Sequence, residues 1–208
     1  MDRMYRRQRF VYDITRKFYL LGRDRLIARL EARDGDAILE IGCGTGRNLI
    51  EIGRRYRGAK LYGLDVSSEM LLSAGAAVAR AGLSRRVMLR QADATTFDAA
   101  AVLGRAQFDR VVISYCLSMI TQWQGVLEAA AALLAPGGEL HIVDFGGQER
   151  LPRWFSNVLR RWLALFHVTP RDTLEQALTA LAQAQGMQLA FERPYFGYCQ
   201  IAVLRRRK

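Results

Sequence analysis

A glycine-rich turn beside acidic residues is the strongest chemical feature of this sequence. Gly42, Gly44 and Gly46 follow the apolar run Ala37 to Ile41, and a helical pattern begins near Asn48. A Cβ at these glycines would collide with a bulky ligand, and the start of the helix would offer free N–H groups to that ligand. The pattern therefore predicts a nucleotide-like ligand at the end of a strand.

Two carboxylates downstream of the turn narrow the choice of ligand. Asp65 closes the next strand-like run, where a carboxylate can accept hydrogen bonds from both ribose hydroxyls. Asp93 and Ala94 follow the third such run, where the Asp can accept from an adenine amino group. Together these positions predict a ligand that contains adenosine.

NAD and S-adenosylmethionine (SAM) both contain adenosine, and two further positions separate them. The dinucleotide fingerprint has a Gly or Ala three residues after its second glycine, whereas Gly46 follows Gly44 by only two positions. The acidic Glu40 precedes the turn. Its carboxylate suits the cationic methionine end of SAM, whereas beside a pyrophosphate it would face a group of the same charge. The sequence therefore favours SAM.

The hydrophobic pattern predicts the elements that position these residues. Short apolar runs alternate with helical patterns, which is typical of a parallel sheet covered by helices. The strand-like runs are Ala37 to Ile41, Lys60 to Leu64, Val87 to Gln91, Phe108 to Ile113, Glu139 to Asp144, Met187 to Glu192 with an aromatic continuation through Tyr198, and Gln200 to Leu204. Pro136-Gly137-Gly138 predicts a turn before the fifth strand. We expect the 208 residues to form a single domain.

These motifs resemble those of class I SAM-dependent methyltransferases. The resemblance lies in Glu40 to Gly46, Asp65, Asp93-Ala94, Phe108-Asp109 and Leu134 to Gly138. It implies a Rossmann-like α/β fold with a seven-stranded, mostly parallel sheet in the order 3-2-1-4-5-7-6 and an antiparallel last strand. SAM would lie across the carboxyl ends of strands one and two, with the methyl acceptor above strands four and five. S-adenosylhomocysteine would be the product, and no metal is expected.

The residues assigned to the cofactor come from the turn, the strand ends and the N-terminal segment. They are Tyr12, Arg16, Tyr19, Arg23, Glu40, Gly42, Cys43, Gly44, Asn48, Asp65, Val66, Met70, Asp93, Ala94 and Ser114.

A narrower resemblance covers nearly the whole chain. The segments Met1 to Gln8, Tyr12 to Arg25 and Ser114 to Ile120 look like the BtaB-type methyltransferases of bacterial betaine-lipid synthesis. That family is understood to trimethylate the amino group of diacylglycerylhomoserine, which gives diacylglyceryl-trimethylhomoserine. The resemblance implies a lipid substrate. It also implies a partner enzyme that makes this lipid by transferring the 3-amino-3-carboxypropyl group of SAM to diacylglycerol.

The N-terminal segment, residues 1–33, predicts a helical lid. The residues that recur every seven positions are Tyr5, Tyr12 and Tyr19, and Arg9, Arg16 and Arg23. Each set would form a stripe along a helix. Arg16 or Arg23 could pair with the methionine carboxylate, and Tyr12 or Tyr19 could pack near the sulfonium. A helix that docks through its tyrosines and leaves its arginines in water fits the same spacing.

A second amphipathic helix is predicted from Leu151 to Phe166, within an insertion at residues 150–170 after strand five. One face carries Trp154 and Trp162, and the other face is basic. The formal charge of +11 is concentrated in residues 1–30, 150–171 and 205–208. This suits a helix in the headgroup layer of an anionic membrane, although packing on the protein's own core would need the same apolar face.

The expected location is cytoplasmic, with peripheral association at the inner face of the membrane. The first thirty residues contain no uninterrupted apolar stretch of the kind found in a signal peptide. No apolar run elsewhere approaches the length of a bilayer span.

Methyl transfer to an amine needs mainly alignment of the lone pair behind the sulfonium methyl. We predict that Tyr115 or Asp144 holds the amine and that Tyr19 helps to cage the ammonium, with water taking the proton. Phosphatidylethanolamine N-methylation and nucleic-acid methylation are the alternatives. The segment Ser114 to Leu117 lacks the Asn/Asp-Pro-Pro-aromatic motif that grips a planar exocyclic amine. No RNA-binding module is present either, so no nucleic-acid partner is expected.

Overall fold

A seven-stranded sheet forms the centre of the molecule. The computed structural model describes residues 20–207. Its strands are β1 (Ala37–Ile41), β2 (Lys60–Asp65), β3 (Val87–Gln91), β4 (Phe108–Ser114), β5 (Leu134–Phe145), β6 (Gln188–Glu192) and β7 (Cys199–Arg205). Their order is β3-β2-β1-β4-β5-β7-β6. β7 is antiparallel to both of its neighbours, and every other neighbouring pair is parallel. The predicted Rossmann-like α/β fold and strand order are therefore confirmed.

Helices bury the two faces of this sheet. They are α1 (Arg23–Ala28), α2 (Arg47–Arg55), α3 (Ser68–Arg80), α4 (Ala99–Leu103), α5 (Trp123–Ala132), α6 (Arg153–Ala164) and α7 (Leu174–Gln185), with a 3₁₀ turn at Leu117–Met119. Because strand side chains alternate between faces, Leu39 and Ile41 join one hydrophobic cluster and Ile38 joins the other. α5 and α7 pack on the first cluster, and α1, α2 and α6 pack on the second.

Local capping explains where several helices begin and end. The Ser67 hydroxyl accepts a hydrogen bond from the backbone N–H of Met70 at the start of α3. The Asp98 carboxylate accepts from the backbone N–H groups of Ala100 and Ala101 at the start of α4. Such side chains satisfy backbone donors that have no partner within the helix. α7 ends at Gly186 in the left-handed conformation, which glycine adopts without steric cost.

The described part of the predicted N-terminal helix does not extend through Gly22. This glycine has φ of +85°, and α1 begins only at the next residue. An added Cβ there would lie 3.1 Å from Cys199 Sγ, so Gly22 is packed tightly against β7. Arg23 is therefore the first residue of α1, and residues 20–22, the described residues before it, are not helical. Tyr12, Arg16 and Tyr19 lie outside the described residues, and their lid role stays a prediction.

Three other predicted bounds differ from the structure. α6 is shorter than the predicted Leu151 to Phe166, because Pro152 precedes it with an extended ψ of 136°. β5 begins at Leu134, so Pro136-Gly137-Gly138 forms an irregularity inside the strand, where the pairing with β4 shifts register. The aromatic continuation of β6 is a tight turn, since Tyr195 and Phe196 have positive φ values.

Candidate functional site

The glycine turn lies at the carboxyl end of β1. Gly42 has φ of +71° and Gly46 has φ of +78°, a region that residues with a Cβ rarely adopt. Gly46 is the N-cap of α2. A Cβ on Gly42 would lie 2.9 Å from the Cβ of Cys116 and would also collide with its Sγ. The turn therefore requires glycine both for its backbone conformation and for its closeness to the loop after β4.

Asp65 connects the first two strand ends. One carboxylate oxygen accepts the Gly44 N–H at 2.8 Å, and the other accepts the Ser67 N–H at 2.9 Å. A carboxylate has about four lone-pair directions, so both oxygens keep capacity for a ligand. Asp65 thus fixes the glycine turn and keeps the capacity to accept hydrogen bonds from ribose hydroxyls, a role that stays a prediction.

Two cavities open at this end of the sheet. The larger has a volume of about 560 Å³, and the predicted residues that line it are Asp65, Val66, Met70, Asp93 and Ala94. The smaller has a volume of about 270 Å³, and the predicted residues that line it are Arg23, Glu40, Cys43, Asn48 and Ser114. Gly42 and Gly44 line both cavities, so the glycine turn borders both compartments.

The chemistry of the two compartments fits SAM. The larger combines the carboxylates of Asp65 and Asp93 with apolar side chains such as Met70, which suits ribose and a flat adenine ring. The smaller contains a carboxylate and guanidinium groups, which suit the ammonium and carboxylate of an amino acid. The residues present are therefore those needed to hold both ends of the cofactor.

Glu40 is buried beneath the smaller cavity. The residue is only 1% exposed, and its Oε1 accepts a hydrogen bond from Asn48 Nδ2 at 2.7 Å. This bond joins β1 to the first turn of α2, so the carboxylate is held in place before a ligand arrives. Arg23 is also buried, and its Nε donates a hydrogen bond to the Leu20 carbonyl at 3.3 Å. Both residues line the smaller cavity, so this bond holds that part of its wall in place.

Asp93 is held by its own turn at the rim of the larger cavity. Its Oδ1 accepts hydrogen bonds from the hydroxyl and the backbone N–H of Thr95, at 2.7 and 2.8 Å. These bonds, the hydroxyl bond first, lower the pKa of Asp93. An ionised, oriented acceptor at this position suits the adenine amino group.

Sequence reasoning missed several residues that line the cavities. Leu20, Thr45 and Arg47 line the smaller cavity. Met119, Ile120, Thr121 and Gln122 line the larger one. Arg47 is the first residue of α2. Because this position directly follows the glycine turn, its place beside the ligand could have been predicted from the sequence. Residues 119–122 belong to the loop after β4. They line the larger cavity only because this loop packs over the glycine turn, which the sequence does not show.

Tyr115 and Asp144 lie at the ends of β4 and β5 but line neither cavity. The Tyr115 hydroxyl donates a hydrogen bond to the Leu21 carbonyl at 2.6 Å, and its backbone has φ of +53°. Burial raises the pKa of this phenol well above its usual range. These contacts favour a role in anchoring the segment that leads into the predicted lid. Holding the amine would require breaking the bond to Leu21.

Asp144 is completely buried and joins β5 to the loop after β4. Its Oδ1 accepts the Phe145 N–H at 2.8 Å, and its Oδ2 accepts the Ser118 N–H at 3.1 Å. Burial raises its pKa to about 6, against the opposing effect of these hydrogen bonds. The predicted role of Asp144 in holding the amine stays a prediction, and its contacts point first to positioning the loop Leu117–Met119.

The raised pKa predicts a specific pH dependence of stability. Between pH 4 and 6 the folded protein keeps a proton on Asp144 that the unfolded chain has released, so the free energy of unfolding falls as the pH rises through this range. Asp144→Asn removes this titration. The wild-type advantage over the variant, measured by urea denaturation, should be about 1 kcal/mol larger at pH 5 than at pH 8. A difference that is constant across these pH values would contradict the assignment.

Comparisons with known proteins relate this chain to methyltransferases. Residues 38–138 match a family model described as a methyltransferase domain. The chain is 33% identical over 130 residues to a phosphatidylethanolamine N-methyltransferase from Cereibacter sphaeroides, covering 62% of this chain and 60% of that protein. The chain thus spans less than two thirds of the length of that relative. It is also 28% identical to an O-methyltransferase from Aspergillus sclerotiorum, covering 79% of this chain and 60% of that protein.

Solved structures show the same fold. The SAM-dependent methyltransferase SibL superposes with a TM-score of 0.72 at 20% identity, covering 99% of this chain and 58% of SibL. Phosphoethanolamine N-methyltransferase 2 from Haemonchus contortus, in complex with SAM, superposes with a TM-score of 0.71 at 18% identity, covering 90% of this chain and 52% of that one.

The fold, the two cavities and these comparisons point to one class of protein. Residues 38–138 match a methyltransferase-domain model, the chain shares its fold with solved SAM-dependent methyltransferases, and the two cavities whose lining fits SAM lie at the carboxyl ends of β1 and β2. Within that class, the relative from Cereibacter sphaeroides and the structure from Haemonchus contortus are both named as N-methyltransferases.

Proposed function

We propose that this protein transfers methyl groups from SAM to the primary amine of a membrane lipid at an anionic membrane surface. We further propose that the lipid is diacylglycerylhomoserine, converted by three methylations to diacylglyceryl-trimethylhomoserine. The observation that carries the lipid proposal is the outer surface of helix α6 beside the acceptor end of the sheet. The homoserine headgroup rests on the resemblance of the N-terminal segment and residues 114–120 to the betaine-lipid methyltransferases.

Helix α6 has apolar side chains on two sides. Leu159, Leu163 and Phe166 pack against the second hydrophobic cluster, so the helix is docked on the protein. Trp154, Val158 and Leu165 point outward and are 69%, 62% and 76% exposed. Docking on the core therefore does not account for the exposed apolar side chains of this helix. The outward residues, which we call the α6 stripe, are spaced along about 16 Å of helix.

Basic residues flank the α6 stripe. Arg153 and Arg161 are exposed on this helix, and Arg150 is exposed just before it. Within residues 20–207, none of these three guanidinium groups forms a salt bridge, whereas Arg160 pairs with Asp172 at 3.1 Å. Exposed apolar side chains between unpaired arginines complement a bilayer surface with anionic headgroups. No helix in this part of the chain is long and apolar enough to cross a bilayer.

The stripe lies at the acceptor end of the sheet. α6 is the first helix after β5, and its Leu163 belongs to the same hydrophobic cluster as Tyr115, just after β4, and Phe145, the last residue of β5. The backbone N–H of Thr169, just after α6, also donates to the Ser118 carbonyl at 2.9 Å. A lipid headgroup presented by a bilayer at α6 would therefore arrive on the side of the sheet where the acceptor is expected.

The chemistry requires little beyond positioning. SAM supplies an electrophilic methyl group, and each transfer releases one proton and leaves S-adenosylhomocysteine. The glycine turn, Asp65 and Glu40, which contacts within the protein hold in place, would bind the cofactor, while the loop after β4 and helix α6 would exclude water from the acceptor side. Alignment and exclusion of water account for most of the acceleration in reactions of this kind, and solvent accepts the proton.

Phosphatidylethanolamine is the second candidate substrate. It is favoured by the phosphatidylethanolamine N-methyltransferase to which the chain is 33% identical. Both lipids present a primary amine near an anionic oxygen, which is a carboxylate in one and a phosphate in the other. If the homoserine lipid is the substrate, an enzyme that transfers the 3-amino-3-carboxypropyl group to diacylglycerol must supply it, and we propose that enzyme as a functional partner.

The direct test of the substrate uses purified protein with methyl-labelled SAM. Anionic vesicles contain either diacylglycerylhomoserine or phosphatidylethanolamine, and the lipids are then separated. We expect label on the homoserine lipid that advances through mono-, di- and trimethylated forms. Label confined to phosphatidylethanolamine would select the second candidate. SAM binding without labelled lipid, but with labelled RNA, would overturn the proposal.

Removing the α6 stripe should weaken membrane binding without affecting the fold. Trp154→Ala combined with Leu165→Ala should lower the partition coefficient onto phosphatidylglycerol vesicles by about tenfold or more, because both side chains lose burial in the bilayer interface. Co-sedimentation measures this, and the binding should weaken further at high salt. Leu72→Ala, at an equally exposed leucine of α3 (69%), is the matched control and should bind like wild type. Equal binding by the double variant would contradict membrane docking through α6.

A further inference from the structure

Gln148 follows β5 at the acceptor end of the sheet, and its backbone is held from several sides. Its N–H donates to the Gly197 carbonyl at 2.9 Å, and its own carbonyl accepts from the Leu151 N–H at 3.1 Å. The Ser156 hydroxyl also donates to that carbonyl at 3.4 Å. These contacts connect the loop after β5 to the turn before β7 and to the first turn of α6, so the start of the Gln148 side chain is fixed.

The side chain of Gln148 has no hydrogen-bond partner among the described residues. The residue is 2% exposed, yet both Nε2 and Oε1 lack a partner. A buried amide can donate two hydrogen bonds and accept two, and leaving them unmade costs much of the free energy of desolvation. Gln148 also has φ of +63°, a conformation that adds backbone strain. Both costs are expected where a ligand supplies the missing partners.

Gln200, a second buried glutamine in the same region, has hydrogen-bond partners for its side chain. It is 1% exposed, and its Nε2 donates to the Phe145 carbonyl at 2.8 Å and to the Arg171 carbonyl at 2.9 Å. These bonds tie β7 to the end of β5 and to the segment after α6. Gln200 is therefore structural, while Gln148, a few residues from the end of β5, is not accounted for by the fold.

A second unpartnered polar atom lies at the same end of the sheet. Ser114 ends β4, and its buried Oγ has no hydrogen-bond partner within residues 20–207. Ser114 pairs in register with Val143 and lines the smaller cavity, where the methionine end of the cofactor is expected. Unmet hydrogen-bonding capacity therefore occurs at the ends of both strands over which the methyl acceptor is expected.

We infer that the Gln148 amide binds the headgroup of the methyl acceptor, with Oε1 accepting from the amine N–H and Nε2 donating to the headgroup's anionic oxygen. This inference rests on the proposed function, because the amine and the anionic oxygen belong to the proposed lipid class. An amide suits this task since it is neutral and offers a donor and an acceptor side by side. The carboxylate of a homoserine lipid and the phosphate of phosphatidylethanolamine both supply the anionic oxygen.

The contact with the amine changes during successive methylations. A neutral primary amine has two N–H groups, the monomethylated amine has one, and the dimethylated amine has none. Gln148 Oε1 therefore has a partner in the early steps and loses it before the last transfer, while the contact from Nε2 persists. Gln148 thus binds the unmethylated lipid more tightly than the dimethylated lipid.

Gln148→Leu tests the inference through both binding and stability. We expect the KM for the unmethylated lipid to rise about tenfold or more, because hydrogen bonds with charged groups are lost. The rise should be smaller for the dimethylated lipid, and the Kd for SAM should not change. Because Leu removes unpartnered buried polar atoms, the denaturation midpoint should stay level or rise. Gln200→Leu, the matched control, should lower that midpoint.

The outcomes separate this inference from the proposed function. Methylation of neither lipid by the wild type would contradict the proposed function, and a lower denaturation midpoint for Gln148→Leu would then also overturn the headgroup role. Wild-type activity with an unchanged KM for Gln148→Leu would overturn the headgroup role alone. A KM rise confined to the homoserine lipid would assign the contact to a carboxylate, and a rise confined to phosphatidylethanolamine would assign it to a phosphate.

Discussion

Asp65→Ala should lower the affinity of the protein for SAM by about 100-fold. The variant loses the acceptor expected for the ribose hydroxyls, and hydrogen bonds to a charged group contribute about 1.5–3 kcal/mol each, where 1.4 kcal/mol corresponds to a factor of ten. It also releases the N–H groups of Gly44 and Ser67, which the carboxylate holds at 2.8 and 2.9 Å. The glycine turn would then lose its fixed shape before any ligand binds.

Isothermal titration calorimetry and urea denaturation separate the two effects of this change. The free energy of unfolding should fall by about 1–2 kcal/mol, because two backbone donors lose their partner. Asp98→Ala is the matched control, since that carboxylate also accepts two backbone N–H groups, at the start of α4. It should cost about 1 kcal/mol of stability as a lost N-cap and leave SAM affinity unchanged. An Asp65→Ala variant that binds SAM within threefold of wild type would contradict the cofactor assignment.

The strand positions and the cofactor turn could be predicted because their signals are local, whereas the strand order was implied by the resemblance to class I methyltransferases. Fully buried parallel strands appear as short apolar runs, and β1 is buried along its whole length. Gly42 and Asp65 were found because a tight turn and a strand-end carboxylate each need one residue type at one position. Asp93 followed from the same reasoning at the third strand, and the structure places it beside Asp65 in one cavity.

Other features depend on contacts between residues far apart in the sequence. The heptad spacing of the N-terminal segment predicts a helix that runs through Gly22, but α1 begins only at Arg23, and Gly22 packs closely against Cys199 on β7. The sequence of α6 was compatible with packing on the core or on a membrane, and the structure shows Leu163 in the core while Trp154 and Val158 are exposed. Gln148 has no sequence signal of its own, because only the fold shows that its amide is buried without a partner among the described residues.

Gly42→Ala should abolish measurable SAM binding and destabilise the fold by about 3 kcal/mol. The left-handed backbone at φ of +71° costs roughly 1–2 kcal/mol for a residue with a Cβ. The new methyl group would lie 2.9 Å from Cys116 Cβ and would collide with its Sγ, and forcing extra volume into a packed site costs about 1–3 kcal/mol. Because Gly42 lines both cavities, movement of either loop would also deform the compartment that holds the cofactor.

A second substitution separates backbone strain from steric collision. Cys116→Gly removes the side-chain atoms that the new methyl group of Gly42→Ala would strike, so the double variant should recover the steric part of the lost stability and keep the backbone part. Gly75→Ala is the matched control, because that glycine lies within α3 and an added Cβ would meet nothing within 4 Å. It should stabilise the protein by about 0.5–1 kcal/mol. If Cys116→Gly restores no stability to Gly42→Ala, the close approach of the two loops is not what requires glycine at this position. The requirement would then lie in the backbone conformation of the turn alone.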